Sequence, residues 1–98
     1  MNHSSLLGKY VIVRTYSAGV HVGTITSLKG KEAVLSDARR IWSWKGAFTL
    51  SEIANHGVGN GSKLSEEVPV IILTEVIEVI PVSADSEKQL KSLGAYKP

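Results

Sequence analysis

KYVIVRTYSAGVHVGTITSLKGKEAVLSDARRIWSW, residues 9–44, decides the fold. Residues 10–16 alternate well enough for a strand, with Val11, Val13 and Thr15 on one face and Tyr10, Ile12, Arg14 and Tyr16 on the other. Ser17, Ala18 and Gly19 form a turn. A second strand follows, with Val20, Val22, Thr24 and Thr26 on one side and His21, Gly23 and Ile25 on the other. A glycine inside a strand marks a bulge or a close backbone approach, so Gly23 is expected to be one of these. Residues 29–32, KGKE, turn the chain into a third strand running from about Glu32 to Trp44. The stretch therefore predicts a three-stranded meander.

The next element is written in its caps. Thr49 and Glu52 form a T-x-x-E capping box, in which the hydroxyl accepts a backbone N–H and the carboxylate reaches back. Phe48 stands where it would staple onto Ile53, and Gly57 supplies a left-handed C-terminal residue. This predicts a short helix over 50–56, with Leu50, Ile53 and Ala54 on one face. Residues 57–67 read by composition as a mobile loop. PVIILTEVIEVIPV, residues 69–82, is too rich in Ile and Val for a surface helix. It predicts one strand bent near 74–76, or two short ones. A closing helix begins at Ser83 or Asp85 and stops at Gly94, leaving residues 94–98 as a flexible tail. The expected architecture is α+β: one small domain, mainly an antiparallel sheet, with two short helices.

Composition narrows the class. At 98 residues the chain builds a thin core, which favours a homo-oligomer, most simply a dimer. Hydrophobic residues at 43% and charged residues at 20% describe a globular chain rather than a disordered one. Cysteine is absent, which rules out disulfides and thiolate metal sites and suits a reducing cytoplasm. The opening MNHSSLLGKY lacks the charged start and apolar run of a signal peptide. The longest apolar stretch is broken by Glu75 and Glu78, so no membrane partner is expected. Charge is uneven: residues 1–45 carry seven Lys/Arg against two acidic residues, and residues 46–98 carry four Lys against seven. That asymmetry suggests a basic face, but one too weak for a dedicated duplex-DNA binder.

Two constellations carry chemistry. In ARRIWSW, residues 38–44, period two places Arg40, Trp42 and Trp44 on one face and Arg39, Ile41 and Ser43 on the other. Arginine presents a fixed fork that matches phosphate oxygens, and tryptophan offers the largest surface for stacking a base. The competing reading is ordinary: a buried core tryptophan, and arginines that guard a sheet edge. The second constellation is Arg14, Tyr16, Ser17 and His21 around a glycine turn, whose backbone N–H groups suit an anion-binding nest. The bland alternative is a hairpin with polar tips. His3, His21 and His56 are too scattered for a zinc site, and there is no serine nucleophile elbow. On one strand Glu75 and Glu78 would face opposite ways. No catalytic residue, metal site or cofactor is expected, and the chain reads as a non-enzyme.

At VRTYSAGVHVG, DARRIWSWKGAFTLSEIA and ILTEVIEVIPV the sequence resembles a family of small, single-domain phage and prophage proteins. The resemblance runs from residue 9 to about residue 82. It implies action in the cytoplasm of a host bacterium and brings no active site with it. By analogy with small phage proteins that counter bacterial immunity, the leading expectation is a sponge. It would sequester an anionic signalling nucleotide, a cyclic one among the candidates, without cleaving it. Arg39 and Arg40 would pair phosphates, Trp42 or Trp44 would stack on a base, and Arg14, Tyr16, Ser17 and His21 would close the pocket. The alternative is an inhibitor that binds a host defence protein through the same Trp/Arg patch.

Overall fold

The computed structural model describes residues 4–47 and 49–96. The meander is present: β1 (Tyr10–Thr15), β2 (Val20–Lys29) and β3 (Glu32–Ser43). Helix α1 (Leu50–His56) follows, then β4 (Lys63–Leu64), β5 (Val68–Leu73), β6 (Val76–Pro81) and helix α2 (Ala84–Ser92). The six strands form one antiparallel sheet in the order β4-β3-β2-β1-β6, with β5 also paired to β3. The expected α+β architecture is therefore the observed one.

The apolar stretch after residue 67 resolves into two strands, separated at Thr74 and Glu75. They do not extend one another: β5 joins β3, whereas β6 joins β1 at the far side of the meander. The sheet thus wraps around itself. Both faces of its centre are buried, which is why Tyr10, Val11, Ile12 and Val13 are all inaccessible in β1. On one face Tyr10, Ile12, Val22 and Ile41 pack against Ile53 and Ala54 of α1 and Leu90 of α2. On the other, Val11, Val13, Ile25, Leu35 and Leu73 form an inner core.

Gly23 makes this wrapping possible. The β2–β3 register shifts between Val22 and Thr24, and a Cβ on Gly23 would lie 3.0 Å from the Ser36 carbonyl oxygen and 3.2 Å from the Leu35 Cβ. Bulge and close approach are both present.

The caps also follow from the sequence. The Glu52 N–H donates to the Thr49 hydroxyl at 3.2 Å, and the Gly57 N–H closes α1 on the Ile53 carbonyl at 2.8 Å. Phe48, the expected staple, lies outside the described residues. The cap of α2 is Ser83, whose hydroxyl accepts from the Ser86 N–H at 3.1 Å. The segment expected to be a loop, 57–67, contains β4 and buries Val58 and Leu64. Of the expected tail, Tyr96 is tied by its N–H to the Leu64 carbonyl at 2.9 Å, while residues 97–98 lie outside the described residues.

Candidate ligand site

Along the edge facing away from β2, β3 changes partners. Residues Ala33 to Ala38 pair with β5, and Ile41 to Ser43 pair with β4. Asp37, at the parting, has φ 50°, a left-handed conformation that aspartate tolerates better than most residues. In the fork between β4 and β5 lies a cavity of about 480 Å³. Its walls include His21, Arg39, Arg40, Trp42, Ser65, Glu66 and Tyr96.

Ser65 pins the strand at the fork. Its N–H donates to the Arg40 carbonyl at 2.9 Å, and its hydroxyl accepts the Arg40 N–H at 2.8 Å. The Arg40 side chain is exposed and forms no ion pair among the described residues. Two residues on, Trp42 is 62% exposed. Tyr96 meets it edge-on, with centroids 5.2 Å apart and planes at 82°. The Lys63 ammonium sits 5.4 Å from the Trp42 ring centre and 4.7 Å from that of Tyr96. Arg40 and two aromatic rings therefore share one lip of the cavity, with the Lys63 ammonium beside the rings.

His21 lines the same cavity from β2, opposite Arg40 in the ladder. It is 1% exposed, and its Nε2–H donates to the Ala18 carbonyl at 2.9 Å. Burial lowers its pKa from the ordinary histidine value; that bond works against the shift and the nearby Arg40 guanidinium adds to it. The ring is neutral at pH 7, with the proton on Nε2. Its Nδ1 is then a buried acceptor with no partner among the described residues.

The structure separates the two tryptophans. Trp44 packs against the helix-side core and does not line the cavity. The expectation that Trp42 and Trp44 share a face with Arg40 fails at Trp44, because β3 ends at Ser43 and its register with β4 shifts between Ile41 and Ser43. The two arginines separate as well. Arg39 is buried on the helix side, where Nε donates to the Ser65 carbonyl at 2.9 Å and Nη1 to the Leu90 carbonyl at 3.0 Å. Two of its donors are held by backbone carbonyls, so it braces α2 against the sheet while it lines the cavity wall.

Arg14, Tyr16 and Ser17 do not join this cavity. Arg14 pairs with Glu78 at 2.9 Å, Ser17 donates to the Glu75 carboxylate, and Tyr16 lines a second cleft with Lys31, Glu75 and Ile77. The expected anion nest is corrected too. The Tyr16 and Ala18 N–H groups are occupied by the Glu75 carbonyl and the Thr15 hydroxyl, and the Glu75 carboxylate stands at the tip of the turn. Ser65 and Tyr96 line the cavity and Lys63 stands over the Trp42 and Tyr96 rings, and the sequence did not mark any of the three. No local pattern marks them, since β4 and the chain end reach the fork only through tertiary pairing.

The chain belongs to a family described as a domain of unknown function (DUF6948), whose profile matches residues 8–90. The match takes in His21, Arg40, Trp42, Lys63 and Ser65, and stops short of Tyr96. No curated protein matches the chain.

Proposed function

We propose that this protein captures a small anionic ligand with a planar ring, a signalling nucleotide, and does not transform it. The observation that carries this reading is Trp42: a large aromatic ring, 62% exposed, on the lip of a cavity beside a free arginine. The volume falls within the roughly 300–1,000 Å³ of small-molecule sites. Trp42 would stack on the ring, and stacking on an aromatic side chain is worth ~1–3 kcal/mol per base. Arg40 would pair the phosphate with its unoccupied fork, and Lys63 would add a second cation beside the same ring.

The biological setting we propose is the one the resemblance to phage and prophage proteins implies, a counter-defence sponge acting inside a bacterial host. Native mass spectrometry of the protein purified from cells with an active nucleotide-signalling defence tests it. A retained nucleotide mass, absent from Trp42→Ala and Arg40→Ala, is the expected result. A bare chain from such cells overturns the reading. A co-purifying defence protein lost in the same variants would replace it with direct inhibition through this patch.

A further inference from the structure

β5, VPVIIL, is an apolar strand with one open edge. Among the described residues it ladders only to β3, and its partner in sequence, β6, belongs to β1. Val68, Val70 and Ile72 alternate along it and are exposed, the last two at 59% and 62%. An exposed edge of this kind offers unpaired N–H and C=O groups to another strand. Pro69 withholds one donor, so the usable edge runs from Val70 to Leu73.

Charge decides what can occupy it. Exposed glutamates stand at both ends: Glu66 and Glu67 before the strand, Glu75 after it. None forms an ion pair among the described residues, although Arg40 shares a cavity with Glu66 and Lys31 a cleft with Glu75. A second copy does not fit. Two-fold antiparallel pairing of β5 with itself sets the Glu66–Glu67 end against the Glu75 end, and parallel pairing sets each glutamate against its own copy. Like charges directly opposite destabilise a ladder. The acidic flanks equally oppose an anionic lipid surface or a nucleic acid.

We propose that the β5 edge takes an extended segment of another protein as an added strand, one with alternating aliphatic residues and a basic residue at each end. The edge adjoins the proposed nucleotide cavity, which Glu66, Val68 and Ile71 also line, but the proposal needs no ligand there and stands or falls without one. The test is amide NMR and hydrogen exchange on the full chain, with two heptapeptides of alternating valine and threonine, one flanked by lysine and one by glutamate. The lysine-flanked peptide is expected to shift the Val70–Leu73 amides, slow exchange of those whose N–H faces away from β3, and bind at least about five-fold more tightly than the other at low salt. In the variant Glu67→Lys, whose side chain is exposed and forms no ion pair among the described residues, the melting temperature stays in place and the preference narrows. Absence of β5 shifts at millimolar lysine-flanked peptide overturns the proposal. So does equal binding of the two peptides, or β5 protection that rises with protein concentration alone, which would make a second copy the occupant.

Discussion

Trp42→Ala and Trp44→Ala must fail differently if the fork is a ligand site. Trp42 has little to lose on the folding side. Its ring is 62% exposed, so the substitution leaves no sealed void. What disappears is the edge-on contact with Tyr96 and the share of the Lys63 ammonium that Trp42 holds. Such aromatic pairs are worth ~0.5–1.5 kcal/mol and exposed cation–π contacts ~0.5–1 kcal/mol. Lys63 keeps the Tyr96 ring, so the total is about 1–2 kcal/mol. Trp44 packs with Ile41, Ile53 and Leu64 around the helix-side core. Its truncation costs about 3 kcal/mol, the lower end for a tryptophan because Trp44 is only partly buried. For a domain of this size each kcal/mol lowers the melting temperature by ~4–8 °C. Scanning calorimetry therefore separates the two variants by several degrees. Affinity for the nucleotide retained from cells should order them the other way. Trp42→Ala weakens it by roughly five- to 150-fold, the stacking energy of one base, while folded Trp44→Ala binds as wild type does. A Trp42→Ala protein that melts as low as Trp44→Ala refutes the exposed-platform reasoning. One that stays folded and binds undiminished refutes the stacking role.

Arg39→Met should lower stability by at least ~2 kcal/mol, because the Ser65 and Leu90 carbonyls each lose a charged donor; Arg40→Ala should melt within ~0.5 kcal/mol of wild type. Chemical denaturation of the pair checks this, and equal losses would dissolve the distinction between brace and free arginine. Thr49→Ala should cost ~0.5–2 kcal/mol, since the Glu52 N–H loses its acceptor; an unchanged midpoint would remove Thr49 as the cap of α1. The pH profile should carry the signature of His21. Its folded pKa lies below the unfolded value of about 6.5, so the unfolded state binds the proton first as pH falls. Its contribution is whole above that value and drains away as pH drops from there towards the folded pKa. Unfolding free energies measured between neutral and mildly acidic pH should thus fall more steeply in wild type than in His21→Gln, and parallel curves would contradict it.

Legibility in the sequence followed the range of the interaction. Features set within a few residues were readable: the caps at Thr49 and Gly57, the bulge at Gly23, and the break at Thr74–Glu75. Alternation also placed Arg40 and Trp42 together correctly. It failed at Trp44, because period two holds only while the strand lasts, and where β3 stops is set by its partners. β4 was hidden in a segment rich in Gly and Ser, since a two-residue strand is created by the edge it joins rather than by its own propensity. The nest around Ser17 looked plausible because the residues suit it. Only the fold shows that Glu75 arrives from 58 residues away to occupy the turn. Tyr96 and Lys63 lacked any signal, because their meaning depends on ending beside Trp42.

The adjacent arginines show how the fork turns one strand into both scaffold and site. A strand paired continuously on both edges has no opening for a ligand. β3 is released by β5 after Ala38 and taken up by β4 at Ile41, and across that gap Ser65 alone completes the hydrogen bonding. The Ser65 backbone N–H and side-chain hydroxyl hold the Arg40 main chain, and its carbonyl holds the Arg39 guanidinium. Because neighbouring residues of a strand face opposite ways, the same clamp drives one arginine inward and the other outward. The inward one ends on the Leu90 carbonyl, in the C-terminal half of α2, where the helix dipole favours a cation, so its charge is buried at an acceptable cost. The outward one keeps its fork free beside Trp42. The fold thus uses Arg39 to fix the geometry that makes Arg40 available, and the two positions should tolerate quite different substitutions. At Arg39 lysine should cost stability, because it lacks the planar donor pair that holds two carbonyls, whereas at Arg40 lysine should leave the fold intact and weaken only the pairing to phosphate.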